Sequence, residues 1–596
     1  MSVLFLLICV VSLVFFAVFL LQCSRPRRAS RKAPVVIKLG TTEAVDSAAG
    51  RRALIHLEQQ MAEFLSTRGP SIAALLLAVS LLGAATQMKA QSSASPASPP
   101  SAAEQQVPPA VQQQLDAMQK RIEQLEAELN SRNAQAQPAG GAANNFATAH
   151  SVADQAQSAQ AAEGSLQQTA APEKKGPPDP FSFADFTWLN GNSRVKELPF
   201  DSKFFTPEIR FDVAYAYSYN HPKDDTIDGS AEVFRHNEFQ LTQLGVGGDF
   251  HYDNVMGRVM TQIGMYSQTQ PRNDASPARG QWSLGDTYRY LAEAYAGYHI
   301  NKMDGINIQA GIFMSYIGLF SWYNFDNWAY QPSYVSSNTP FFFNGMRVQI
   351  FPNQKLKIEP WLINGWQSYG RFNSRPGLGF QVLYRPTGTI SFVSNGYGIG
   401  EDTLGVPGRV RYHSDNSFQW MYYQNHDRTL DRMAFSLTGD IGCEHGGGVS
   451  CAGNSAKGPK QDFLGFMIYN RFWFLRDRYA LTLGGGKINN PGRYVVLLPP
   501  INGATAASGT PYFTQNPGDP FKAWDASATV DYMPSQYITF RWEFDHRAAS
   551  VPYFSGPGGI TPAGGNTGCA GCVVPGFTPD LRKIENRLDL ALMVMF

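Results

Sequence analysis

The end of the chain most constrains its fold. The last nine residues, LDLALMVMF, place an apolar residue at every second position: Leu588, Leu590, Leu592, Val594 and Phe596. Side chains of a β-strand alternate between its two faces, so this pattern predicts a strand with one continuous apolar face. Residues 538–545 repeat the alternation. Two such strands fit either a soluble sandwich or a membrane barrel, and the number of strands and the targeting segments distinguish these folds.

Composition favours the membrane alternative. The chain has 596 residues, which is too long for one ordinary core, and 49 Lys and Arg are balanced by 48 Asp and Glu. This balance carries no signature of nucleic-acid binding. An aromatic content of 13%, 55 glycines and only 16% charged residues suit membrane strands with interfacial aromatic girdles and tight turns. An aromatic-rich soluble β protein is the alternative.

Two apolar segments near the start predict targeting. Residues 3–21 are long enough to span a bilayer, and a basic stretch follows them. A shorter apolar run at 72–85 ends in small residues before Gln91, as in a secretory signal with its cleavage site. Initiation at Met61 would make residues 61–90 an ordinary signal peptide. Residues 1–60 are then either an inner-membrane segment or an over-extended gene start.

Between the signal and the strands, the chain alternates between linkers and one helix. Residues 91–109 and 132–180 are rich in Ala, Ser, Gln and Pro and predict disordered linkers. Within 110–131 an apolar seam has the 3.5-residue spacing of a coiled coil. Its members are Val111, Leu115, Met118, Ile122, Leu125 and Leu129. A short helix is marginal alone, so we expect self-association, with a single helix packed on the barrel as the alternative.

Residues 181–596 predict an all-β fold, a transmembrane antiparallel β-barrel of about sixteen strands. The expected strands are 205–219, 235–250, 255–267, 286–300, 304–317, 343–351, 354–366, 377–385, 388–395, 409–424, 430–442, 462–474, 478–488, 520–532, 536–547 and 584–596. Connections after even-numbered strands are mostly brief, and those after odd-numbered strands tend to be long. Short turns alternating with long outer loops are typical of bacterial outer-membrane barrels, and a Greek-key sandwich has no reason to keep this alternation.

Four segments carry a family resemblance. FTWLNGNSR (186–194), FFTPEIRFD (204–212), the stretch 315–371 and the terminal Phe596 resemble the OmpL-like putative beta-barrel porin-2 family of Gram-negative outer membranes. The resemblance covers about residues 184–596. It implies a porin in the bacterial outer membrane, in contact with outer-membrane lipid, and assigns no substrate or binding residue. A separate, weaker likeness to DcaP-like trimeric porins, which also precede the barrel with a coiled coil, suggests a homotrimer.

The apolar parity of the strands predicts which charged residues line the pore. They are Arg210, Asp212, Glu293, Arg347, Lys357, Glu359, Arg385, Asp525, Asp531, Arg541, Glu543 and Asp545. Strands 6 to 8 are mainly basic and strands 14 and 15 mainly acidic. These strands face each other in a sixteen-stranded barrel, so we expect two water-facing walls with a transverse field between them. Any single member is more often a solvated wall charge than a selectivity element.

The loop 318–342 is unusually aromatic for an outer loop, which predicts an apolar place for it. We expect it to fold into the lumen as a constriction, and its expected constriction residues are Trp322, Asp326, Trp328 and Tyr330. Capping of the barrel rim or of a subunit interface is the alternative.

The remaining candidate chemistry is sparse. Cys443 with Cys451, and Cys569 with Cys572, are expected to form local disulfides in exposed loops of an oxidising compartment, and neither a metal nor another cofactor is expected. His546 follows Asp545, but its parity is lipid-facing, so a hydrolytic triad is disfavoured. The sequence therefore predicts a non-enzymatic porin for passive diffusion of small hydrophilic solutes. A structural anchor or adhesin with a closed lumen is the rival function.

Overall fold

The computed structural model describes residues 179–596 apart from 273, 275, 277–279, 372–373, 402–405, 407, 454–455, 493, 496–498, 500, 505–509, 511–518 and 567–570. The expected inner-membrane segment, signal peptide, coiled coil and most of the linker sequence therefore lie outside the described residues.

Sixteen antiparallel strands close into one barrel, as predicted. The barrel strands are β1 (Phe205–Ser218), β2 (Phe239–Tyr252), β3 (Val255–Thr261), β4 (Leu291–Ile300), β5 (Ile306–Met314), β6 (Phe342–Asn353), β7 (Leu356–Ile363), β8 (Gly377–Thr387), β9 (Ile390–Gly398), β10 (Val410–Gln424), β11 (Leu430–His445), β12 (Asp462–Phe474), β13 (Tyr479–Asn490), β14 (Phe521–Ser535), β15 (Ile538–Ala549) and β18 (Ile584–Met595). The two-residue strands β16 (Phe554–Ser555) and β17 (Leu581–Arg582) form a separate small sheet in the last loop. β18 pairs with both β15 and β1, and this pairing removes the free sheet edges.

The alternation read from the sequence is also the alternation of burial. On β15, Arg541 and Glu543 are buried inside, whereas Trp542 between them is 45% exposed on the outer surface. Phe211 on β1 and Leu592 on β18 are exposed in the same way, at 42% and 40%. An outer apolar belt around a polar interior is the arrangement that a bilayer requires of a barrel.

The connections alternate in length around the barrel. Turns after even-numbered strands are short, such as 253–254, 388–389 and 536–537, and they lie at the end where the chain enters β1 and leaves β18. The connections after odd-numbered strands are long, and three of them contain short helices. No helix in the described part of the chain combines the length and apolar character needed to cross a membrane.

Strands β3 and β4 are shorter than the sequence pattern suggested. The ladder of β3 ends at Thr261, and helices at Tyr266–Arg272 and Leu284–Tyr288 occupy part of the following loop. Gly264 has a φ of +119°, and a Cβ there would lie 2.6 Å from the carbonyl oxygen of Leu241. Only glycine fits this position, which the chain passes just before the helix Tyr266–Arg272.

Candidate functional site: the barrel lumen

The third long loop, residues 315–341, lies inside the barrel and not above it. This loop is called L3 below. Trp322, Trp328 and Tyr330 are all buried, and the loop contains a 3-10 turn at Asn324–Asp326 and a short helix at Tyr334–Ser337. The aromatic residues of the expected constriction are thus buried, but Trp322, Trp328 and Tyr330 belong to three different apolar clusters. Their positions depend on the charged side chains of the barrel wall.

Two carboxylates of the wall formed by β14 and β15 hold the centre of L3. The backbone N–H groups of Tyr330 and Gln331 each donate to Glu543 at 2.6 Å. The Ser333 hydroxyl and the Tyr334 N–H donate to Asp525 at 2.8 and 3.0 Å. Hydrogen bonds to ionised acceptors are shorter and stronger than neutral ones, so this wall fixes the path of the loop.

The 3-10 turn of L3 is held by wall arginines. Arg210 on β1 pairs with Asp326 at 3.1 Å. Arg541 donates to the carbonyl oxygens of Asn324 and Asn327 at 3.2 and 2.6 Å, and it also pairs with Asp531. The only formal charge of the loop therefore meets a fixed cation.

Two further predicted lumen residues contact L3. Asp212 accepts hydrogen bonds from the Tyr330 hydroxyl and from the Asn324 amide, each at 2.9 Å. Glu293 accepts from the Tyr323 hydroxyl at 2.6 Å. Charged residues on β1, β4, β14 and β15 thus surround the loop with hydrogen-bond partners.

A second segment, which the strand pattern does not predict, also occupies the lumen. This segment, residues 181–195, is called the entry segment below. The indole of Trp188 donates to the carbonyl of Gly388 at 2.9 Å, and the N–H of Asn190 donates to Gln419 at 2.8 Å. Its apolar residues at 186, 188 and 189 have neither strand nor helix periodicity yet need burial, which is the signal that could have located it.

The entry segment and L3 bind each other. The backbone N–H of Trp328 donates to the Asn190 side chain at 2.7 Å, and the Trp328 indole donates to the carbonyl of Trp188 at 3.1 Å. The N–H of Gly191 donates to the carbonyl of Asp326 at 3.1 Å. The two segments therefore form one internal layer across the lumen.

The basic wall of β6 to β8 is buried rather than open to water. Lys357 and Glu359 have no exposed surface, and they pair at 3.1 Å on the same strand. Arg347 lies over the rings of Phe313 and Trp361 at 4.5 and 5.4 Å from their centroids. This differs from the expected water-facing wall, because neighbouring side chains neutralise and cover these cations.

Arg385 on β8 is covered by the entry segment. Its guanidinium lies over the rings of Phe181 and Phe186, at 5.0 and 4.4 Å from their centroids. On the opposite wall, Asp531 lies between Arg541 and Arg471, each at 2.7 Å. The charges on both walls therefore meet local partners, and a simple transverse field between two bare walls does not describe this lumen.

One group of carboxylates among the described residues has the spacing of a cation site. Glu543, Asp545 and Asp589 can bring one oxygen each within 4.8 Å of one another. Arg587 already lies beside this group, 2.9 Å from Asp589 and 3.8 Å from Asp545. Glu543 also accepts the L3 hydrogen bonds described above, so the group acts as an anchor for the loop and for Arg587.

The residues considered for hydrolysis do not converge. Asp545 is buried inside the barrel, whereas His546 lies on the outer face, where it stacks on Trp524 and contacts Asn586 at 2.7 Å. Ser550 lies beyond the strand end and accepts from the N–H of Lys522. The described side chains of this region therefore assemble no triad.

The loop cysteines are placed only in part. Cys443 lies within β11 and is joined by a disulfide to Cys451 in the following loop. Both residues are buried, at 1% and 3% exposure, which differs from the exposed loop positions expected for this pair. Cys572 is disulfide-bonded, and Cys569 lies outside the described residues.

Comparison with known proteins places this barrel in a family. The family model described as "Putative beta-barrel porin-2, OmpL-like" matches residues 211–572, which is more than half of the chain. No curated protein matches the sequence.

The chain also resembles solved outer-membrane structures. The outer membrane channel DcaP of Acinetobacter baumannii is 13% identical with a TM-score of 0.37, over 66% of this chain and 96% of that chain. OmpT of Vibrio cholerae, in a trimer form, is 8% identical with a TM-score of 0.37, over 66% and 99%. OprB of Pseudomonas putida is 9% identical with a TM-score of 0.37, over 66% and 94%. On the strength of the family match and of its own closed barrel, this chain belongs to the OmpL-like beta-barrel porin-2 family of the bacterial outer membrane.

Proposed function

We propose that the barrel is a non-enzymatic porin through which small hydrophilic solutes diffuse passively. The observation that carries the proposal is the polar character of the inward face at the level of L3. Thr529 and Asp531 on β14, and Arg541 and Glu543 on β15, all point inward and are buried. Burying charges costs several kcal/mol each before pairing, so a barrel with no use for its lumen would be more stable with an apolar interior.

The route runs past the internal layer that L3 and the entry segment form. Many of the bonds that hold this layer are hydrogen bonds to carboxylates and carbonyl groups, which water can replace when the layer moves. Small polar solutes would pass as these bonds exchange. Selection would then depend on the gap that opens beside L3 and on the charges that line it.

A closed barrel that serves as a structural anchor or adhesin is the second candidate. The observation that favours it is the near-complete burial of lumen side chains such as Lys357, Glu359 and Asp531, each without exposed surface. An anchor of this kind would keep the internal layer in place permanently.

Conductance separates the two candidates. We would record single channels in planar bilayers from the wild type and from Trp188→Ala, which removes the indole that joins the entry segment to the short turn at Gly388. The matched control is Trp282→Ala, since Trp282 is 82% exposed in a loop. Current steps in the wild type support the porin, whereas steps that appear only in Trp188→Ala favour the anchor, because they show a lumen that the wild-type layer keeps shut. Silence from both, with the barrels folded and inserted, would favour the anchor.

We also propose that the porin is a homotrimer. The support is the apolar seam at 111–129, which buries its surface only when several copies meet, although these residues lie outside the described structure. The molar mass of the detergent-solubilised protein tests this, and a monomeric mass would contradict it.

A further inference from the structure

A cavity opens at the end of the barrel that carries the short turns. Its volume is about 300 Å³, and it lies between the entry segment, the 3-10 turn of L3 and the adjoining ends of β11, β12, β14 and β15. The turn 475–478 between β12 and β13 borders it. This volume is at the lower end of the range for small-molecule sites. In a bacterial outer-membrane barrel this end faces the periplasm.

The lining of this cavity is strongly basic. Seven of its side chains are Arg or Lys, whereas only Asp326 and Asp477 are acidic. Asp326 is already paired with Arg210, which lies outside the cavity lining. The chain as a whole is almost neutral, so this concentration of one sign of charge is local. A concave surface with one sign of charge raises the local concentration of ions of the opposite sign.

Four of these cations have carboxylate partners. Arg471 and Arg541 share Asp531, each at 2.7 Å. Arg432 pairs with Asp477 through two hydrogen bonds, one of them at 3.0 Å. Lys196 pairs with Asp185 at 2.6 Å. These pairs fix the positions of the side chains and leave the rest of the positive charge uncompensated.

The other three cations form no ion pair with any described residue. Arg476 and Arg478 are exposed on the turn. Arg194 donates to the carbonyl oxygens of Ser535 and Ile538, at 2.7 and 2.5 Å, and its buried Nε has no partner. Burial lowers the pKa of Arg194 to about 9; the carboxylate of Asp531 opposes this effect, and the guanidinium groups of Arg471 and Arg541 add to it. An anion in the cavity would relieve the repulsion.

The turn that presents two of these arginines is strained. Leu475, Arg476 and Asp477 have φ values of +55°, +57° and +59°, in the left-handed region that residues with a side chain disfavour. Residues in this region persist only where the surroundings hold them. Here the N–H of Asp477 donates to Asp431 at 3.0 Å, and Arg432 binds the Asp477 side chain. The β11 strand therefore holds the turn in a conformation that directs its arginines to this end of the barrel.

We propose that this cavity is a binding site for small organic polyanions, recognised through carboxylate or phosphate oxygens by Arg194, Arg476 and Arg478. The guanidinium group suits this role, because it donates two parallel hydrogen bonds to such oxygens and stays charged at neutral pH. Aromatic rings hold the neighbouring cations in place: Phe325 lies 4.8 Å from Arg194, and Trp473 lies 5.2 Å from Arg432. The site is formed before the ligand arrives, which reduces the entropic cost of binding.

Equilibrium binding tests this proposal without requiring conduction. We would titrate citrate into the purified full-length protein in detergent at low ionic strength and follow the heat of binding. Citrate should bind to the wild type, and its affinity should fall steeply with added salt because the contact is ionic. Arg476→Gln/Arg478→Gln should weaken binding by on the order of tenfold or more, since two charges facing the ligand are lost. Arg194→Gln should weaken it as well.

The controls decide whether the effect is local. Lys302→Gln/Lys355→Gln removes the same formal charge from two exposed lysines on other short turns at the same end of the barrel. Citrate affinity should be unchanged in this variant, and glycerol should give no binding signal to the wild type. Absence of citrate binding to the wild type would overturn the proposal, as would equal affinity for Arg476→Gln/Arg478→Gln. An equal loss in the lysine variant would also overturn it, since only net charge would then matter. Binding that persists in a barrel without conductance would contradict the porin and leave this site intact.

Discussion

The two opposite walls of the lumen use buried charge in different ways. On the basic wall, Lys357 pairs with Glu359 two residues along the same strand, so both charges belong to the barrel itself. On the acidic wall, Glu543 and Asp525 accept hydrogen bonds from the backbone of L3. The ion pair of the basic wall forms within one strand, whereas the carboxylates of the acidic wall have all their hydrogen-bond partners only when L3 is in place.

This difference separates two roles that the sequence cannot distinguish. Lys357 and Glu543 both point inward, are both buried and each carry a charge. What each side chain stabilises depends on where its partner lies: the ion-pair partner of Lys357 lies on the same strand, and the backbone partners of Glu543 lie in L3. Loss of a charge from the basic wall should therefore destabilise the barrel, whereas loss of a charge from the acidic wall should release L3 and leave the strands of the barrel paired.

The largest effect should follow from Lys357→Met. Glu359 would keep neutral donors, from Gln349 at 2.8 Å and Trp361 at 2.7 Å, and a more distant cation, Arg347 at 4.0 Å, but would lose the cation 3.1 Å away. Removal of one member of a buried ion pair typically costs about 3–5 kcal/mol, because the remaining charge stays desolvated. We expect a decrease of that order in the free energy of unfolding, measured by urea titration of the barrel in lipid vesicles.

The double variant Lys357→Met/Glu359→Gln sharpens this test. Removal of both charges should restore most of the lost stability, and a double-mutant cycle gives the coupling between the two residues. Lys355→Met, on the exposed turn beside them, is the matched control and should have little effect. A Lys357→Met barrel as stable as the wild type would mean that water reaches this wall after all.

A smaller effect on stability and a larger one on conduction should follow from Glu543→Gln. The amide keeps one acceptor oxygen for the N–H groups of Tyr330 and Gln331, and one charge-assisted bond is lost. Such a bond contributes about 1.5–3 kcal/mol. We expect L3 to detach more often from the wall, which should give larger or noisier current steps in planar bilayers. The strands of the barrel should remain paired.

The control for this loop effect is another buried acid on a neighbouring wall. Asp440 on β11 contacts His413 at 2.9 Å. Asp440→Asn removes a charge from the lumen without touching the hydrogen bonds of L3 to Glu543. Identical current traces for Glu543→Gln and the wild type would show that the acidic wall does not control the loop.

Much of the barrel could be predicted because strand pairing and lipid impose a period of two on the sequence. The alternation of Phe540, Trp542 and Phe544 with Arg541 and Glu543 fixes both the strand and its faces. The ends of strands are harder to predict: the pattern suggests a strand to 267, whereas β3 ends at Thr261 and a short helix follows at Tyr266–Arg272.

The interior was less predictable, because its contacts join residues far apart in the chain. Parity placed Glu543 inside, but nothing in its neighbours shows that the N–H groups of Tyr330 and Gln331 meet it. The basic cavity joins Arg194 to the turn at 475–478. Each of these segments looks like an ordinary polar stretch alone, and only the closure of the barrel brings them together.

The smallest effect should be a pH dependence confined to the side of L3 that faces the first loop. Glu232, in the loop between β1 and β2, accepts from the Gln331 side chain at 3.2 Å, and burial raises its pKa from 4.5 to about 7. A raised carboxyl pKa means that the folded state favours the protonated form, so the folded state with Glu232 buried beside L3 loses stability as pH rises through about 4.5 to 7. We expect L3 opening, scored as current fluctuations, to increase between pH 5 and pH 8 in the wild type and to change less in Glu232→Gln. A pH response that Glu232→Gln leaves intact would place its origin elsewhere in the lumen.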